Sequence, residues 1–384
     1  METSRITIRQ DDKTYTNIFS YPSDLSEPIG SVVLLHGMAE HHGRYKEFIN
    51  FLNSKGYDCY IYDHRGHGSD IRFEDLGHIA DEDGYTLLIQ DAIGVLEYVK
   101  GVNRGKKLVL FGHSMGSILA QCVLQQYSDN IDACICMGSA NPPHRKLNSG
   151  IFLADFVRMV KKPRHISPYL SKKITGYKEF AKISNRTSYD WLTRDNQRVG
   201  TYISDPLCGF TCTAAFYCDL LQLTSQSTNR QNMKKIRNDL PLIFLAGSHD
   251  PVGDYGSGVA ELFESYQRLH FTNVDCIIYD EARHELLNEI NRDEVMKDIA
   301  EWLNKVLNNR NLTPVVSLSS RSKAEKAAEK AAAKASKKKG KRSVPTSEAE
   351  YVSNTAALAG DADDDDFNDL GYFDRTQTKD EHEQ

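Results

Sequence analysis

The amino-acid sequence predicts a parallel β-sheet covered by helices on both faces. Three observations point there. Short apolar runs bounded by glycine, such as Ser31 to Leu35, have the length and composition of buried strands. They alternate with stretches of helical periodicity up to about residue 140 and again after residue 240. The 384 residues are also enough to bury one large core with additions.

The elements follow in order. Two strands, around Ile6 and Ile8 and then Tyr15 to Tyr21, flank a tight turn at Asp11-Asp12-Lys13. After the Ser31 to Leu35 strand, Tyr45, Phe48, Ile49 and Leu52 fall on one helical face, and Gly56 ends that helix. Cys59 to Tyr62 is a further strand, and Leu87, Ala92, Val95, Leu96 and Val99 mark a helix. Leu108 to Phe111 reads as a strand, followed by a helix carrying Ile118, Leu119 and Val123, then a strand from Ala133 to Met137. From residue 141 to 235 the rhythm breaks into an aromatic-rich, mostly helical insertion. Strands return at Leu240 to Ala246 and Cys276 to Tyr279, and a helix over Asp293 to Leu307 closes the globular part. The expected domains are therefore a core of residues 1–140 and 236–310, and an insertion over 141–235. Beyond them lies a tail over 311–384, Lys/Ala-rich and then acidic, with too little apolar surface to offset ordering entropy; disorder is expected there.

Composition excludes some functions. The net charge of −6 implies no nucleic-acid partner, and no window reaches the apolar length of a membrane span. Eight cysteines lack zinc-type spacing, and the N-terminus lacks a signal-peptide pattern. Reduced thiols and a cytoplasmic location are expected, with peripheral contact at the inner membrane surface through the insertion or the basic tail.

The chemistry centres on Gly112-His113-Ser114-Met115-Gly116, a G-x-S-x-G between a strand and a helix. Such a turn strains the serine backbone and projects its hydroxyl, while the helix aims N–H groups at developing negative charge. A serine needs a base, and the base an orienting acid. Asp250 and His284 follow in the order Ser, Asp, His, each just beyond an expected strand where loops converge. Asp254 and Asp280 are rival acids; His113 and His249 flank the site, with local backbone bonding the simpler role. The Met115 amide and the Met38 amide, in the loop His36-Gly37-Met38, are the candidate oxyanion donors. No metal or cofactor is called for. Asp63 to Ser69 reads as a turn beneath the site, and Cys208, Cys212 and Cys218 as packing thiols.

Several of these segments together resemble a known family. H-G-M-A-E-H-H-G-R-Y (His36 to Tyr45), D-H-R-G-H-G-S, G-H-S-M-G, G-S-H-D-P-V and R-H-E-L-L-N-E look like the serine α/β-hydrolases grouped as monoacylglycerol lipases and lysophospholipases. The resemblance spans about Ile6 to Leu307. It implies an α/β-hydrolase fold with a mostly parallel eight-stranded sheet, and the insertion as a helical cap. It also implies the Ser114, Asp250, His284, Met38 and Met115 roles, and Glu40, His41 and Arg44 near the substrate's polar head. Leu287 departs from the animal monoglyceride lipases, which the resemblance leads one to compare and which carry a histidine there that helps hold glycerol. The expected function is hydrolysis of single-chain lipid esters. Hydrolysis of short acyl esters, amide or perhydrolytic chemistry, and an inert scaffold working through its charged tail are the alternatives; dehalogenation would need a carboxylate at Ser114.

Overall fold

The computed structural model describes residues 3–308 apart from residues 104, 178, 179, 181, 182 and 185. The tail expected over 311–384 lies outside the described residues. Eight strands form one sheet: β1 (Ser4–Arg9), β2 (Tyr15–Tyr21), β3 (Gly30–Leu35), β4 (Tyr57–Tyr62), β5 (Lys107–His113), β6 (Ala133–Met137), β7 (Leu242–Gly247) and β8 (Val274–Tyr279). Their order is β1-β2-β4-β3-β5-β6-β7-β8. β2 runs antiparallel to both β1 and β4, and all remaining neighbours are parallel. Every residue of the central strands β3, β6 and β7 is buried. With helices on both faces no position along such a strand meets water, so these segments read as unbroken apolar runs rather than alternating ones.

The helices are α1 (Lys46–Ser54), α2 (Gly84–Asn103), α3 (Met115–Tyr127), α4 (His144–Lys161), α5 (Pro168–Thr175), α6 (Asn196–Ser204), α7 (Ala214–Ser227), α8 (Arg230–Met233), α9 (Ser257–Arg268) and α10 (Arg292–Asn308). One face of the sheet packs against α2, α3 and α9 through Val95, Leu119 and Tyr266, and α7, lying on α2 and α3, adds Phe216 to the same cluster. The other packs against α1 and α10 through Phe48, Ile299 and Trp302. This is the α/β-hydrolase fold that the sequence leads one to expect.

Between β6 and β7 the named elements are all helices, joined by loops and by an isolated bridge between Ile166 and Thr213. α7 falls inside the segment read as a cap. It buries Phe216 and Tyr217 in the same apolar cluster as α2 and α3, the helices on which it packs. α4 lies against α7 and presents its opposite side to solvent.

Candidate active site

Ser114 stands between β5 and α3 with φ 55° and ψ −119°, a strained backbone for a residue with a side chain. Its glycine neighbours make the turn feasible. A Cβ on Gly112 would lie 2.2 Å from the Gly116 carbonyl, and one on Gly116 would lie 2.1 Å from that of Leu35. The Ser114 amide donates to Met137 at the end of β6, at 2.9 Å. Ser114 is partly exposed while the residues on either side are buried.

Asp250, after β7, is fully buried, and its Oδ2 lies 3.0 Å from Nδ1 of His284, in the loop after β8. Its Oδ1 accepts the Val252 amide at 2.8 Å. A carboxylate can only accept, so Nδ1 carries the proton and Nε2 is left as the basic nitrogen. Burial works to depress the His284 pKa. The charge and hydrogen bond of Asp250, followed by Glu285 and Glu40, outweigh it and hold the pKa above the ordinary histidine value. The rival acids lie elsewhere: Asp254 is exposed and accepts from Ser257, and Asp280 is exposed and accepts from Ser248. The imidazole of His284 packs over the end of β6, where a Cβ on Gly138 would meet its Cε1 at 3.0 Å. Because Ser114 bonds to the residue preceding Gly138, the loops of Ser114 and His284 converge at this edge of the sheet.

The turn after β3 closes against the serine, and a Cβ on Gly37 would lie 3.2 Å from that of Ser114. Three buried histidines hold this turn from below. His64 N donates to His36 Nε2 at 3.0 Å, so His36 Nδ1–H donates to the Gly37 carbonyl at 2.8 Å. Ala39 N donates to His67 Nε2 at 3.1 Å, and His67 Nδ1–H donates to Arg65 O at 3.0 Å. Burial lowers the pKa of all three histidines, that of His67 to about 3, so they act as neutral connectors. The Asp63 to Ser69 loop thus packs beneath the site.

Glu40, His41 and Arg44 direct their polar atoms at protein. Glu40 accepts from Gly37 N at 2.6 Å and Tyr45 OH at 2.8 Å, and its Oε1 lies 3.1 Å from His113 Nδ1. Arg44 donates to Glu40 at 2.5 Å and by two bonds of 2.7 Å to Glu285, with its guanidinium over the Tyr202 ring. His41 accepts from Gly43 N at its Nδ1, and its Nε2–H meets Asp205 at 2.9 Å. Cys208 brings a third ligand-type atom within 4.8 Å of those two. His113 is thus a member of the Glu40 cluster, with its ring 5.0 Å from that of His284. His249 bonds through its amide to Ala282 at 2.9 Å.

Two contributors escape sequence reading. Trp191 lays its ring 5.1 Å from the His284 ring, and its carbonyl accepts the His284 amide at 3.3 Å. Glu285 anchors Arg44. A charged residue beside the expected base was the signal for Glu285; the insertion's many aromatics gave none that singled out Trp191.

Comparison with known proteins agrees with the fold. A monoglyceride lipase homolog of Monkeypox virus is 26% identical over 291 residues, covering 74% of this chain and 92% of that protein. The monoacylglycerol lipase of Mycolicibacterium smegmatis is 26% identical over 287 residues, covering 72% of this chain and 89% of its own. Among solved structures, a thermostable carboxyl esterase from Bacillus coagulans in complex with glycerol superposes with a TM-score of 0.73 at 23% identity, covering 80% of this chain and 99% of that one. Residues 26–291 match the family model described as "Serine aminopeptidase, S33", and the chain belongs to this family of α/β-hydrolases.

Proposed function

We propose that this protein is a serine ester hydrolase that cleaves single-chain lipid esters, monoacylglycerols or lysophospholipids, through an acyl-enzyme. The observation that carries the reading is the buried Asp250–His284 hydrogen bond of 3.0 Å beside the strained Ser114 turn. His284 Nε2 takes the Ser114 hydroxyl proton as Oγ attacks the ester carbonyl, and Asp250 stabilises the imidazolium. The amides of Met38 and of Met115, at the start of α3, receive the oxyanion. The ester C–O bond breaks, His284 protonates the leaving alcohol, and water repeats the cycle on the acyl-enzyme. This chemistry draws on no metal or cofactor.

The substrate class rests on relatives that include monoglyceride lipases and a phospholipase, YtpA of Bacillus subtilis. Leu287 sits in the apolar cluster under the sheet, which argues against selectivity for a glycerol head and keeps short-chain esters as a second reading. The outward side of α4 is apolar and meets the lipid surface from which substrate is drawn. Ser114→Ala is expected to leave a folded protein whose ester hydrolysis falls by at least about a thousandfold. Retention of most of the activity would overturn the nucleophile assignment. A panel of monoacylglycerol, lysophospholipid and short-chain aryl esters distinguishes the substrate readings.

A further inference from the structure

We propose that Arg44 is a positioning residue, a buried clamp that holds the turn bearing the Met38 oxyanion donor to the loop bearing the base. The proposal rests on the triad reading above. Its basis is a continuous chain of contacts. At one end Gly37 N, in the turn that closes on Ser114, donates to Glu40 at 2.6 Å. Glu40 accepts Arg44 at 2.5 Å, and Arg44 grips both oxygens of Glu285 at 2.7 Å. Glu285 directly follows His284 in the chain, and the two share an anchor: the Glu285 amide donates to the Leu192 carbonyl at 2.7 Å, next to the Trp191 carbonyl that receives His284 N at 3.3 Å.

The geometry suits a clamp better than a head-group contact. The Arg44 side chain is 12% exposed and those of Glu40 and Glu285 4% each. A guanidinium presents its donors in a rigid fork, and here one edge is occupied by a carboxylate in bidentate fashion. Tyr202 covers its face, with the guanidinium carbon 4.8 Å from the ring centre. Loss of the clamp would free two loops on which catalytic alignment depends, and small misplacements of reacting groups are costly in rate.

The clamp also sets the field at the base. Facing His284 are Asp250 from the loop after β7, Glu285 beside it, Glu40 from the turn after β3, and the His113 ring from the end of β5. Arg44 is the cation placed against both glutamates. Removing the Glu285 charge should therefore lower the acidic limb of the kcat/KM profile, since that limb reports the base in free enzyme.

The test compares Arg44→Gln, Arg44→Lys and Glu285→Gln on an aryl butyrate and on monobutyrin, which share an acyl group and differ in the leaving alcohol. Arg44→Gln is expected to lower kcat at least about tenfold on both substrates alike. Arg44→Lys is expected to regain only part of that loss, because an ammonium restores charge without the fork. Glu285→Gln, which keeps the Glu40–Arg44 pair, is expected to shift the acidic limb downward and serves if Arg44→Gln does not fold. A raised KM confined to monobutyrin, with the aryl ester unaffected, would overturn the clamp in favour of head-group binding. So would Arg44→Gln and Glu285→Gln that both keep the wild-type kcat on the two esters. Wild-type protein that fails to react with a fluorophosphonate at Ser114 would instead defeat the underlying triad reading.

Discussion

At the scale of the residue, two buried carboxylates show how neighbours decide the charge state. Burial works to raise both. Arg44, with His113, overcomes it at Glu40 and holds that carboxyl well below the usual range. Asp219, on α7, accepts Tyr85 N at 3.0 Å near the start of α2, and burial dominates there, pushing its carboxyl up to about 7. A raised folded-state value means that the stabilising contribution is complete below about pH 3.9 and is lost as pH rises through about 7. Asp219→Asn is thus expected to raise the melting temperature relative to wild type more at pH 8 than at pH 5. An equal difference at the two pH values, measured by calorimetry, would contradict this. Asp219 was not legible as such in the sequence, because its burial depends on α7 packing beside α2. The places of Ser114, Asp250 and His284 at strand ends were legible, because a strand–turn–helix motif and the ends of apolar runs are local signals. Glu285 lies 241 residues from Arg44, and no local pattern announces that pairing.

At the scale of the element, α4 is the helix whose sequence and surroundings disagree most with an ordinary surface. Phe152 and Met159 are 76% and 75% exposed, and Phe156 and Val160 are exposed on the same side. Leu147 and Ala154 bury the opposite side. Arg158 and Lys161 lie in its last turn, with Lys162 next and Lys172 and Lys173 ending α5. Apolar anchors beside cations match an anionic lipid surface. The paired substitution Phe152→Asp and Phe156→Asp is expected to weaken sedimentation with anionic vesicles at least about tenfold, given about 1.5 kcal/mol or more for each buried Phe. Turnover of a soluble aryl ester should be unchanged. Undiminished vesicle binding would remove α4 as the contact. The strands were legible one by one, since full burial leaves an apolar signature. The packing of α7 on α2 and α3 was not, because its aromatic composition matches that of the rest of the insertion.

At the scale of the whole molecule, the loops after β3, β5, β7 and β8 meet at one edge of the sheet, although their residues are spread from Gly37 to Glu285. The alternation of strand and helix made the parallel sheet legible. The antiparallel β2 beside β4 and the histidine lattice under the turn depend on three-dimensional neighbours that no window of sequence contains. No helix among the described residues is long and apolar enough to cross a membrane. All eight cysteines are free thiols, and all but the half-buried Cys208 are buried. The most direct measurement is peptide mapping by mass spectrometry after reaction of the full-length protein with a fluorophosphonate. One phosphonyl adduct on Ser114, formed far more slowly in His284→Ala, is the expected result. An active protein that carries no adduct at Ser114 would contradict the central claim.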